Sequence, residues 1–418
     1  MSRFYPADIL LPDFKKFKKV DGTRYAVVAC DQFTSEPAVW DQTESIVGDA
    51  LSTLRFILPE LWLSERKERV PGIHAAMERA LSDGAFVEYP HAMIYLRRTQ
   101  SDGTVREGLV GAIDLLDYDY KPGSKPPIRA TEGTVLERVP PRVDIRRGAK
   151  IELPHVMLLL DDPGKTVIEP LADLATAKAP LYDFDLMQGG GHVTGYLLDR
   201  AMQKRVDDAL DAIAPEGDAP LTFAVGDGNH SLAAAKAYFE ELQDTLGDEA
   251  LSHPARYALV ELVNLHSPAL VFRPIYRAVF GADEADLTRA LLSDVLAASV
   301  KDPSAPATHL TLLSGETSSN ITYPHGTHPL DVGTLQSFLD RYTASHPGVT
   351  VDYIHGEDAL ASIVKERGAI GFLFPGMEKE QLFPAVGEKG ALPRKTFSMG
   401  EARDKRYYLE ARKIAEDD

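Results

Sequence analysis

The run Leu221-Thr-Phe-Ala-Val225, followed by Gly226-Asp-Gly-Asn-His230, constrains this chain more than any other segment. Its apolar part reads as a buried strand, and two glycines permit a tight loop. From about Ser231, residues Ala235, Tyr238, Phe239, Leu242 and Leu246 recur at helical spacing. Strand, glycine loop and helix in that order predict a mixed α/β protein. Such a helix start offers unpaired amides and a positive dipole end, which favour phosphate or carboxylate.

The length of 418 residues predicts two or three domains at ~150 residues each. Forty-five basic against 63 acidic side chains leave a net charge of −18. A chain that held nucleic acid by counterion release would need a basic face, so none is expected as a partner. The short basic clusters (Lys15, Lys16, Lys18 and Lys19; Arg142, Arg146 and Arg147) are flanked by acid. A small anionic ligand stays compatible with this charge, because local amides outweigh a distant net charge. No apolar run reaches the ~18 residues of a membrane helix, and the start shows no export signal. The single cysteine, Cys30, excludes an internal disulfide and a multi-thiolate metal site. A soluble cytoplasmic protein is expected.

Along the chain, Tyr25–Cys30 reads as a strand, and Trp40, Val47, Leu51 and Leu54 fall on one helix. A hairpin is predicted from Ala92–Arg98 and Thr104–Leu116, and residues 121–150 read as an extended loop. Ile151–Leu160 reads as a strand, and Asp199 as the N-cap of the following helix. Past Gly281, helices and strands alternate as in a smaller α/β unit, which gives domains 1–281 and 282–418. The end, from Leu392 onward, is compatible with a return to the first domain.

Gly226–His230 is the leading candidate site. Asp227 would repel a bare phosphate, a conflict relieved by a divalent cation or by a role as base. The alternative makes Asp227 or Asn229 an N-cap and His230 a packed imidazole. Glu132, beside Gly133, is accessible enough to bind a cation or take a proton, although Thr134-Val-Leu-Glu137 also has the form of a capping box. Gly189, Gly190 and Gly191 read either as a close approach or unusual backbone angles at a ligand-facing loop or as a flexible surface connection. Cys30, closing an apolar strand, reads as a buried small hydrophobe.

Cys30–Pro37, Arg129–Thr134, Gly189–His192, Gly226–His230 and Leu392–Phe397 occur in an order similar to that of domain-of-unknown-function family ten-fifteen, a large bacterial family without a settled activity. Many of its members have Asp-Gly-His-His-Arg where this chain has Asp227-Gly-Asn-His-Ser231. That box resembles the phosphate-binding box of the ParB and sulfiredoxin superfamily, which includes a partition CTPase, ATP-using sulfiredoxin and an ADP-dependent free-serine kinase. The resemblance implies a ParB/sulfiredoxin-like nucleotide-binding core, with ATP or ADP phosphates at Gly226, Gly228, Asn229 and Ser231 and with Mg²⁺ at Asp227. It also implies Asp227 and His230 in phosphoryl transfer, with Glu132 as the separate glutamate by order alone. Gly190, Gly191 and Lys395 complete the expected ligand contacts. The box arginine is replaced by Ser231, which leaves Arg129, Arg142 or Lys395 to supply its charge. Sulfiredoxin's cysteine would fall at Asn229, which excludes thiol-phosphate chemistry.

The expected activity is therefore a Mg²⁺-dependent, nucleotide-using phosphotransferase acting on a small polar metabolite, or a related phosphate-handling enzyme. A non-catalytic nucleotide or small-anion sensor is the alternative, favoured by Ser231. A metal-dependent hydrolase built on His192 and His230 is a third and weaker option, since no ligand set has the spacing.

Overall fold

The computed structural model describes residues 3–14, 21–121, 123–301 and 306–416. The lysine cluster at 15–19 lies outside them. The chain divides into two units, one of residues 1–270 with 400–418, the other of residues 271–399. The division thus falls at 270/271 rather than near 281, and the last residues group with the first unit.

The first unit is built on a nine-stranded mixed sheet. Its strands are β1 (Ile94–Thr99), β2 (Val105–Asp114), β3 (Tyr118–Asp119), β4 (Ile128–Ala130), β5 (Met157–Leu160), β6 (Tyr182–Asp185), β7 (His192–Leu197), β8 (Phe223–Asp227) and β9 (Tyr257–Asn264). Their order across the sheet is β6-β7-β1-β2-β9-β5-β8-β4-β3. β8 runs parallel to β4 and antiparallel to β5, with a register shift between Val225 and Asp227.

Alternate residues point to opposite faces, and both faces are covered. Tyr95, Leu109, Leu158, Val225 and Val260 pack on one side with Met202, Val206, Leu232 and Phe239. Ile94, Leu96, Val110 and Leu259 pack on the other with Trp40, Val27 and Tyr408. The main helices are α1 (Pro37–Val47), α2 (Arg66–Ser82), α3 (Val139–Arg146), α4 (Arg200–Ala212) and α5 (Asn229–Leu246). Asp199 caps α4 by accepting from the Met202 N–H, as its position in the sequence predicts.

Several expectations are corrected. Tyr25 closes a short helix, and only Val27–Val28 is strand. α1 stops at Gly48, whose φ of 52° ends it before Leu51 and Leu54. The stretch 121–150 holds β4 and α3; Pro140 and Pro141 stand in the first turn, where a missing N–H costs nothing. The predicted strand 151–160 is split, because Leu153-Pro154-His155-Val156 separates two short strands.

The second unit has its own sheet of β10 (Phe272–Phe280), β11 (Thr308–Ser314), β12 (Thr317–Tyr323), β13 (Thr350–His355), β14 (Ile370–Leu373) and β15 (Phe397–Met399). Five of these run in the order β12-β11-β14-β10-β13, and β15 pairs with β10. Helices α6 (Glu284–Lys301), α7 (Asp331–Ser345) and α8 (Glu357–Arg367) alternate with the strands as expected. Among the described residues, no helix is long and apolar enough to cross a membrane.

Candidate functional site

β4 and β8 run side by side, with Ala130 opposite Val225, so Thr131-Glu132 and Gly226-Asp227 leave the sheet at the same edge. The C-terminal ends of parallel strands are where α/β proteins build sites. The Thr131 hydroxyl donates to the Val225 carbonyl at 2.8 Å, and the Val135 N–H donates to His230 Nε2 at 3.2 Å. The first bond ties the 131–135 loop to β8 and the second ties it to the first turn of α5.

Gly228 makes the turn. Its φ is 79°, and an added Cβ would sit 2.9 Å from the Val156 Cα. No side chain caps α5. Instead Asp227 Oδ1 accepts from the Gly228 N–H at 2.9 Å, so neither Asp227 nor Asn229 is the N-cap. The first intrahelical bond of this turn is donated by Leu232 to the Gly228 carbonyl. The amides of Asn229, His230 and Ser231 precede it, as at any helix start. Asn229 Oδ1 is a buried acceptor with no partner among the described residues.

Asp227 Oδ2 meets Lys405 Nζ at 3.2 Å, with both side chains largely covered. Lys405 therefore brings a cation to the box from the far end of the chain. Arg142 adds a second one, 2.8 Å from Glu60. Burial, then the charges of Arg142 and Arg138, push the His230 imidazole down to about 4. His230 is neutral near pH 7, and because Nε2 accepts from Val135, its proton sits on Nδ1. It can donate one hydrogen bond to an anion but brings no charge.

Behind the box lies a second polar group. Ser231 Oγ is 3.3 Å from His155 Nε2, and His155 Nδ1 is 2.6 Å from the Tyr408 hydroxyl. Asp31 Oδ2 is 3.8 Å from His155 Nε2. Burial works to raise the Asp31 carboxyl, but His155, a hydrogen bond from Gln32 and Lys405 together hold it low. Burial and neighbouring Asp31 push the Cys30 thiol up to about 12, so it stays protonated. The sequence predicts a buried small hydrophobe at Cys30; it is only partly covered, but its protonated thiol is unreactive as that reading implies.

Other expected contacts lie elsewhere. Gly190 and Gly191 precede β7, which four strands separate from β8, roughly 24 Å at ~4.8 Å per strand step. Gly191 has φ 82°, and a Cβ there would collide with the Thr99 carbonyl. Arg98 donates to the Gly190 carbonyl. His192 is held by Asp183 and Asp185 at 2.6 and 2.7 Å, at that same distant strand. The described residues contain no group of three or more His, Cys, Asp or Glu able to hold a metal, which removes the basis for a hydrolase centre on His192 and His230. Arg129 is buried and bonded to the carbonyls of Lys125, Pro126 and Ala219, so its charge is spent on the backbone. Lys395 belongs to the second unit, where its carbonyl accepts from Arg277. Lys405, His155 and Tyr408 escaped the sequence reading. Nothing local marks them, because their partners lie far away in sequence.

Fold and site together define a mixed α/β protein in which Glu132, Asp227, Gly228 and His230 gather where two parallel strands end and one helix begins. The chain belongs to the family described as protein of unknown function (DUF1015), which matches residues 13–342. No curated protein matches the sequence. Among solved structures it is similar to a conserved hypothetical protein from Pyrococcus furiosus, at 12% identity and TM-score 0.36, covering 73% of this chain and 94% of that one. It is also similar to a free serine kinase in complex with AMP, at 12% identity and TM-score 0.38, covering 71% and 90%. A third is SbnI with C-terminal truncation from Staphylococcus aureus, at 12% identity and TM-score 0.34, covering 70% and 82%.

Proposed function

We propose that the protein is a nucleotide-using phosphotransferase acting on a small metabolite, with the nucleotide phosphates seated at the start of α5. The observation that carries this reading is the convergence of Glu132, Asp227, Gly228 and His230 at one end of β4 and β8. The left-handed Gly228 makes the turn that opens α5, and the helix dipole favours negative charge at the amides of Asn229–Ser231. Lys405 and Arg142 supply cations where Ser231 stands in place of the box arginine. This is a phosphate box of the ParB and sulfiredoxin kind with its charge delivered from outside the box.

Mg²⁺ would be held by Asp227 together with phosphate oxygens and water, the usual low protein-ligand count for this ion. Its chemistry there is charge neutralisation on the transferring group. Asp227 would have to exchange Lys405 for the metal, and the released ammonium would remain beside the phosphates. Neutral His230 donates from Nδ1, and Glu132 takes the proton of the acceptor hydroxyl.

Calorimetric titration of ATP, ADP and CTP with Mg²⁺ tests the reading. Saturable binding of at least one is expected; none binding to a folded sample ends it. A non-catalytic sensor is the second reading, favoured by Ser231 and by the pre-formed Asp227–Lys405 pair. Release of nucleoside diphosphate or phosphate with a metabolite pool separates the two. Asp227→Asn and Glu132→Gln abolish release under the first reading and change only affinity under the second.

A further inference from the structure

A cavity of about 150 Å³ lies under the first turns of α5. Phe56, Leu58, Met77, Ile145, Ala234 and Leu259 form its apolar walls. Its polar lining is Glu60, Arg142, Arg146, Glu152, His155, Ser231 and Tyr408, referred to below as the rim. A dry apolar void of about this size accommodates a molecule as large as benzene.

The rim's own charges balance, with Arg142 and Arg146 against Glu60 and Glu152. Glu60 faces Arg142 at 2.8 Å and Arg138 at 3.9 Å, and Glu152 faces both Arg146 and Arg412. Arg138 and Arg412 stand behind the lining, so four guanidinium groups in all meet two carboxylates; counting Asp31 beside His155 leaves one positive charge over in this surrounding cluster. The Arg146 Nε is a buried donor with no partner among the described residues. Such a donor costs free energy until an acceptor arrives. The Cys30 thiol and the Tyr408 phenol, both held protonated by burial, add no competing negative charge.

We propose that this cavity binds a small monocarboxylate with a compact apolar tail, its carboxylate at the rim of Arg146 and Ser231 and its tail against Met77, Ala234 and Leu259. The site adjoins the nucleotide-phosphate position proposed above and shares Ser231 and Arg142 with it. It needs no nucleotide, so it stands or falls separately from the phosphotransferase reading.

The test uses the full chain without nucleotide, titrated calorimetrically with benzoate, benzamide and acetate, alongside thermal melts. Benzoate is expected to saturate and to bind ~tenfold or more tightly than acetate, which lacks the tail, and than benzamide, which lacks the charge. Ala234→Leu, or Ala149→Leu should the first not fold, narrows the cavity and is expected to weaken benzoate by a similar factor. Arg146→Lys, which keeps the charge beside Glu152 but removes Nε, is expected to weaken benzoate more than benzamide. Absence of saturable benzoate binding to the folded chain overturns the proposal. So does benzamide binding as tightly as benzoate, or a folded, narrowed variant that binds benzoate undiminished.

Discussion

His230 is kept neutral by burial and by the charges of Arg142 and Arg138, and that makes its imidazole a source of acid sensitivity. Its folded value of about 4 lies below the ordinary 6.5. Between those values the unfolded chain holds a proton that the folded chain lacks, so the contribution is whole above pH 6.5 and shrinks as pH falls toward 4. His230→Gln should flatten this part of the pH profile, read from urea midpoints across that window. A steeper loss of stability in the variant would contradict the assignment. Gly191 gives a second residue-scale prediction. A side chain there must take φ 82° and displace the Thr99 carbonyl, so Gly191→Ala should cost about 2 kcal/mol or more in denaturant unfolding. Asp227 and Glu132 were legible as candidates because glycines flank them. Lys405 was not, since an ion pair closed only by the fold leaves no periodicity or motif behind.

At the scale of elements, the helix α5 and the strand before it followed directly from apolar spacing and the glycine loop. α3 did not, because Pro140 and Pro141 read as breakers when the segment is scanned without knowing that a helix begins there. β12 was also missed: Thr317–Tyr323 is mostly exposed and polar, so a two-residue period of apolar side chains never forms. The C-terminal segment 403–412 depends on buried charge rather than on propensity. Glu261 is fully buried, accepts from Arg106 at 3.1 and 3.4 Å, and lies 3.6 Å from Arg406. Burial works to raise its carboxyl, but Arg106 and Arg406 hold it below the ordinary range. Glu261→Gln removes the negative centre and leaves buried guanidinium groups uncompensated, which should cost about 3–5 kcal/mol. Equilibrium unfolding in urea measures it; a loss under about 1 kcal/mol would show that the cluster contributes little.

For the whole molecule, the second unit enters and leaves at adjacent points. Phe272 pairs with Met399 in the antiparallel β10–β15 ladder, with Cα atoms ~5 Å apart in such pairs. A short Gly-Ser bridge in place of residues 272–399 should therefore leave the first unit with a cooperative urea transition. Removal of 400–418 should do the reverse, because it strips Arg406 from Glu261 and Lys405 from Asp227. A first unit that melts cooperatively without those residues would contradict the account. The alternation of helices and strands in the second unit was legible from its sequence. The return of the chain end to the first unit was only compatible with it, since the contacts of that end are long-range.

That return has a consequence for how the molecule is made. Domains of a nascent chain generally fold in order of synthesis. Here the first sheet is translated with Glu261 paired to Arg106 but not yet to Arg406 and with Asp227 still without Lys405, and both cations follow only after the second unit. The second unit is translated whole before residues 400–418, and the first is complete only once they follow.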